Sequence, residues 1–161
     1  MNIDYILHTL NEHEVAYLLI GGVNFMLRHE PVLTFDVDVW IEDTSSNRER
    51  CVAALVALDA SWGATDEQWK SVREHSPGWL ESQAMYCLLT PYGPVDVFRF
   101  VAGLNDWQAA RQAAVSEATA SGVRYAGLCD EDMLRCQMAL DETERKQGRV
   151  MHLERVIGNK K

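Results

Sequence analysis

The 161-residue chain is long enough to bury one core and too short for two large domains. Hydrophobic residues at 47% and charged residues at 24% describe an ordinary folded protein, and 24 acids against 15 bases give a formal net charge of −9. That charge repels a phosphate backbone and argues against broad nucleic-acid binding, and the longest apolar run, "VAYLLIGGV", falls far below the roughly 20 residues of a membrane span.

The opening "MNIDYILHTLNEHE" places Ile3, Ile6, Leu7 and Leu10 at helical spacing. It carries acids among its apolar positions and no basic stretch, so it reads as an amphipathic helix rather than a signal peptide, and a cytoplasmic location is expected. "EVAYLLI" then reads as a buried strand that ends at Gly21 and Gly22, and "VNFMLRH" as a short helix before Pro31.

"TFDVDVWIED" alternates, with Asp36, Asp38 and Trp40 on one face and Val37, Val39 and Ile41 on the other. In "TSSNRERCVAALVALDA", Ser46 and Glu49 have capping-box spacing, which predicts a helix from about Ser46 to Asp59. Residues 61–83 lack sustained periodicity apart from a short helix near Asp66 to Val72, and Trp62, Trp69 and Trp79 are expected to pack beneath this loop.

"AMYCLLT" and "VDVFRF" flank "PYGP" and predict a hairpin with Asp96 near the start of its second strand, on the face shared by Phe98 and Phe100. Beyond Gly103 the pattern turns helical, in "NDWQAARQAAVSEA", "DEDMLRCQMALDETERKQ" and "RVMHLERVI". Asp130, Glu131 and Asp132 are helix-start acids on this reading. The expected architecture is an α/β (α+β) single domain over residues 1–161. A mixed twisted sheet flanked by helices occupies about 1–103, and a helical carboxy-terminal part about 104–161.

Cys51, Cys87, Cys129 and Cys136 show no CxxC spacing, and none of the five histidines falls in an HExxH pattern, so reduced thiols and no zinc site are expected. The oxygen ligands are more informative. An Asp-x-Asp pair in a strand projects both carboxylates from one face about 7 Å apart along the chain, as a pair of shared magnesium ions requires. Glycines between a strand and a helix let backbone N–H groups approach phosphate without Cβ interference.

Taken in order, "LIGG", "TFDVDVW" and "GPVDVFRF" resemble the nucleotidyltransferase superfamily related to DNA polymerase beta. The chain looks most like its small stand-alone bacterial members, toxin-type transferases of toxin–antitoxin systems among them. The resemblance spans roughly residues 15 to 100. It implies a transferase that moves a nucleoside monophosphate from a nucleoside triphosphate to a hydroxyl of a small molecule, a protein or an RNA, with two Mg2+ ions. It also implies that Asp36 and Asp38 bind both metals, while Asp96 holds one and helps to activate the hydroxyl. Gly21 and Gly22 would then cradle phosphate; Asn24 and Thr34 are candidates for contacts to phosphate or metal-bound water, with capping of local backbone as the alternative.

The sequence departs from those members at Val32, where many carry arginine. It departs again at Gln137 and in "GRVMH", where a lysine and an Arg-x-Lys-Asp stretch are usual and only Arg149 is retained. Arg28, Arg145 and Lys146 are the candidate replacements for the missing cations. Two other functions follow from the same residues. One is an inactive, antitoxin-like interaction protein that keeps the fold and binds a protein partner. The other is an antibiotic-modifying nucleotidyltransferase.

Overall fold

A computed structural model of the chain describes residues 1–160. Helix α1 (Ile3–Glu12) starts where the Asn2 side chain accepts from the Tyr5 N–H at 3.1 Å, and it buries Ile6, Leu7 and Leu10. Strand β1 (Tyr17–Leu19) is buried along its whole length and runs directly into α2 (Gly21–Arg28), so the two glycines form the first turn of the helix. Strand β2 (Val37–Ile41) pairs antiparallel with β1.

Helix α3 (Ser45–Ala57) is capped by Thr44, whose hydroxyl accepts from the Asn47 N–H at 3.3 Å; the cap lies two residues ahead of the Ser46 expected from the capping-box spacing. Fully buried Asn47 cannot serve as an exposed first-turn residue. Its amide instead bonds both backbone groups of Ala16 and the Glu42 carbonyl, which fastens α3 to the ends of β1 and β2.

The irregular region contains a two-strand ladder, β3 (Ser61–Trp62) with β4 (Lys70–Ser71), and short 3-10 turns, the first at Asp66–Gln68. Trp62 and Trp79 are buried there against Tyr86, with ring centroids 5.0–5.4 Å apart. Trp69 is 42% exposed and stands outside that cluster, because its backbone faces Gly63 across the tight end of the ladder.

The hairpin forms as β5 (Met85–Leu88) and β6 (Val95–Phe98), closed by the Thr90 hydroxyl on the Gly93 carbonyl at 2.7 Å. Helix α4 (Trp107–Ala113) ends early. The helix expected through Ala118 gives way to β7 (Val115–Ala118), which pairs antiparallel with β8 (Arg124–Gly127) around a turn where Gly122 has φ +87°. Alanine favours helix by only a few tenths of a kcal/mol per residue over its neighbours, less than a formed ladder and its packing supply.

Helix α5 (Asp130–Met138) and helix α6 (Gln147–Gly158) complete the chain; the helical pattern through 147 is interrupted after Met138. Among the described residues no helix is long and apolar enough to cross a membrane.

The main sheet has the order β5-β6-β2-β1-β8-β7, with β2·β6 and β1·β8 parallel and the other pairs antiparallel. Alternation along each strand feeds two cores. Val37, Val39, Ile41, Val95 and Val97 join α1 and α3 on one face. Leu18, Ile20 and Trp40 join Phe25, Ala110, Met133 and Leu153 from the helices on the other. The second face also carries the acidic residues of β2 and β6.

Candidate active site

The parallel pairing of β2 with β6 sets Asp38 directly beside Asp96. Asp36 precedes Asp38 by one full pleat, so all three side chains leave the same face at the same end of the sheet. One oxygen of each carboxylate lies within 4.8 Å of the others, the spacing at which a divalent cation can be shared. Among the described residues this is the one group of three or more acid, histidine or cysteine side chains so arranged.

The glycines act on this cluster through Asp38. Gly21 has φ +66°, and a Cβ there would overlap Oδ2 of Asp38. A Cβ at Gly22 would strike the Thr34 hydroxyl and approach the Arg149 guanidinium. Strand, glycine turn and helix thus bring the first turn of α2 into van der Waals contact with the carboxylates. Thr34 lies beside Gly22, with its hydroxyl 3.5 Å from Oδ1 of Asp36.

Burial, reinforced by the charges of Asp36 and Asp96, pushes the Asp38 carboxyl up to about 7. Burial and Asp36 push Asp96 up to about 6. Three carboxylates with little solvent and one nearby cation are short of positive charge. That cation is Arg149 on α6: burial lowers its pKa, while Asp38 and Asp36 draw it up. Its guanidinium lies 5.8 Å from the centre of the Phe25 ring.

Asn24 is brought elsewhere. It is fully buried, and its amide donates to the Leu128 carbonyl at 3.0 Å and contacts Met133 Sδ at 3.1 Å. Gly127 leaves the space its oxygen occupies, so Asn24 joins α2 to the end of β8.

Two of the three candidate replacement cations are likewise committed, while Lys146 is exposed. Arg28 donates to the Leu128 carbonyl at 2.6 Å and to Asp130 at 2.7 Å, and Arg145 donates to the carbonyls of Leu140 and Met138. Asp130 is more than a helix-start acid. Burial alone would raise its pKa, but Lys160, Arg28 and His29 hold it below the ordinary carboxylate range. Val32 is partly buried and packs against the second core.

Sequence reasoning missed two features of the site. Cys87 pairs with Asp96 across the hairpin, and its thiol lies 3.6 Å from Oδ2; the register of the "PYGP" hairpin was the signal that could have located it. The other is an apolar cleft of about 260 Å³ that opens beside Gly21, Asp38 and Arg149. Its walls come from β6, α2, α5 and α6, and no single stretch of sequence signals it.

No protein-family profile and no curated protein matches the chain. Solved structures do. ANT(2″)-Ia in complex with adenylyl-2″-tobramycin superposes with a TM-score of 0.60 at 13% identity, over 98% of this chain and 88% of that one. The lincosamide antibiotic adenylyltransferase LnuA, with lincomycin bound, superposes with a TM-score of 0.56 at 16% identity, over 95% and 94%. The chain therefore has the nucleotidyltransferase fold that its short motifs resembled.

Proposed function

We propose that the protein is a magnesium-dependent nucleotidyltransferase that moves a nucleoside monophosphate from a nucleoside triphosphate to a hydroxyl of a small molecule. The observation that carries this reading is the convergence of Asp36, Asp38 and Asp96 against the glycine turn of α2. The donor set fits the metal: three carboxylates and no imidazole supply hard oxygen ligands, which suit Mg2+ better than zinc.

On this reading Asp36 and Asp38 hold both ions and Asp96 one. Bound magnesium supplies neutralisation of the triphosphate charge and alignment of its α-phosphate. The first turn of α2, Thr34 and Arg149 border the space beside Asp38 where phosphate oxygens would lie. Asp96 takes the proton from the acceptor hydroxyl. The acceptor oxygen then forms a bond to the α-phosphorus, the bond from that phosphorus to the α,β-bridging oxygen breaks, and pyrophosphate leaves with the electron pair.

Calorimetric titration with Mg2+ and each nucleoside triphosphate should give binding that Asp38→Asn abolishes. A wild-type protein that binds none of them would defeat the proposal. The ligands of ANT(2″)-Ia and LnuA favour an antibiotic as acceptor. Expression in a sensitive host, with tobramycin and lincomycin resistance as the readout, tests that narrower reading. The commitment of Arg28 and Arg145 elsewhere favours a non-catalytic interaction protein instead. Label transfer from an α-labelled triphosphate would dismiss that alternative.

A further inference from the structure

Cys87 lies directly opposite Asp96 in the antiparallel ladder of β5 with β6, so the two side chains leave the same face of the sheet. Its neighbours Tyr86 and Leu88 point the other way, into the first core. The ladder therefore fixes where the thiol stands: Sγ is 3.6 Å from Oδ2 of Asp96, a hydrogen-bonding separation for sulfur. An ionised carboxylate only accepts, so the thiol is the donor.

The surroundings of Asp96 give that bond its weight. Asp96 is 8% exposed, and among the described residues the thiol is the one hydrogen-bond partner of its carboxylate. The neighbouring acid Asp36 repels it. A carboxylate turns about a broad, roughly two-fold torsion, so without an anchor its two oxygens exchange places. A donor on Oδ2 removes that equivalence and leaves Oδ1 as the oxygen that a cation or an acceptor hydroxyl meets.

The weakness of the donor suits a base. A guanidinium or an ammonium at this position would hold the carboxylate more firmly, but it would also stabilise the anion and take away the basicity that proton removal needs. A thiol donates weakly, so it orients Asp96 and leaves it basic. A nucleophilic or redox-sensing role is disfavoured for the same thiol. Burial, reinforced by the charge of Asp96, pushes it up to about 11, whereas a reactive cysteine has to be a thiolate.

We infer that Cys87 is the positioning residue of the candidate base: its thiol fixes Oδ2 of Asp96, so that Oδ1 is presented to the metal ion and the acceptor hydroxyl. The inference rests on the nucleotidyltransferase reading and adds to it a residue that acts through Asp96 alone.

The test counts metal ions, because on that reading Asp96 holds one of two ions whereas Asp36 and Asp38 hold both. The whole protein is titrated with Mn2+, a paramagnetic substitute for Mg2+, in the presence of α,β-methylene-ATP, a triphosphate that cannot transfer its nucleotide. Free Mn2+ is read by electron paramagnetic resonance, and calorimetry gives the affinity of the analogue. The proteins are wild type, Cys87→Ala, and Cys87→Ser, in which a hydroxyl restores a donor.

Cys87→Ala should weaken the weaker of the two Mn2+ sites about tenfold and leave the tighter site, the analogue and the melting temperature as in wild type. Cys87→Ser should recover most of that loss. Equal Mn2+ binding in wild type and Cys87→Ala, an equal loss at both sites, a loss that tracks a lower melting temperature, or no recovery by serine would each overturn the inference. If Cys87→Ala is misfolded by circular dichroism, Cys87→Val, which lacks a donor and favours a strand, takes its place with the same expected outcomes. Failure of wild type to bind two Mn2+ ions with the analogue would instead sink the nucleotidyltransferase reading, so the two failures are distinguishable.

Discussion

Gly21 and Asp38 contend for one volume: a Cβ on residue 21 would fall on Oδ2 of the aspartate, and the backbone there holds φ +66°. Two penalties therefore combine in Gly21→Ala. A non-glycine residue in that conformation costs about 1–3 kcal/mol, and the Asp38 carboxylate must move away from Asp36 and Asp96. The variant should melt several degrees lower than wild type and lose most of the thermal stabilisation that Mg2+ with ATP gives. Differential scanning fluorimetry with and without those ligands measures both, and an unchanged ligand-induced shift would show that the contact does not position Asp38.

The raised carboxyls of Asp38 and Asp96 set a sign for the pH dependence without metal. Their folded-state values, about 7 and about 6, exceed the ordinary 3.8, so between those limits the folded protein holds protons that the unfolded chain has released. This contribution to stability is fully present below about 3.8 and is lost as pH rises through 6 and then 7. Metal-free protein should lose melting temperature from pH 5.5 to 8, Asp38→Asn should flatten that loss, and the gain from added Mg2+ should grow over the same range. Melting curves at matched ionic strength decide it; a Mg2+ effect independent of pH would contradict proton competition at the cluster.

Much of this site could be read in the chain, for a physical reason. Alternation in "TFDVDVW" fixes the face of Asp36 and Asp38, and the hairpin turn fixes the face of Asp96, so local rules sufficed for three residues that meet through a parallel pairing. The partner of Asn24 was not legible, because Leu128 lies over a hundred residues away and nothing local marks it. The ladder of β7 and β8 was hidden by alanine-rich sequence whose weak helical preference yields to pairing. The cleft was illegible for a related reason: Phe25, Met133 and Leu153 read as ordinary core until α2, α5 and α6 are assembled.

The placement of Asn24 yields a contrast between stability and binding. Asn24→Ala removes one of the two donors to the Leu128 carbonyl, which Arg28 continues to satisfy, so the loss should be about 0.5–1.5 kcal/mol. Binding of Mg2+ and nucleotide at a temperature where the variant is folded should stay within about threefold of wild type, equivalent to less than about 1 kcal/mol. Urea denaturation and calorimetry provide the two numbers. Loss of nucleotide binding from a folded Asn24→Ala protein would return the residue to the phosphate site.

Among the described residues Arg149 is the one cation that both borders the cleft and feels the charges of Asp36 and Asp38; Arg28 and Arg145 are occupied by Asp130 and by backbone carbonyls, and Lys146 does not line the cleft. Its removal should therefore not be covered by a neighbour. Arg149→Ala should reduce transfer from an α-labelled triphosphate by about 10²–10³, the scale for loss of one preorganised group that stabilises transition-state charge. Arg149→Lys should recover only part of it, because an ammonium keeps the charge but lacks the planar fork. Binding of Mg2+ in the absence of nucleotide should persist in both variants, since the carboxylates remain. Single-turnover transfer rates set beside metal titrations separate these effects, and an Arg149→Ala rate equal to wild type would remove the residue from phosphate binding.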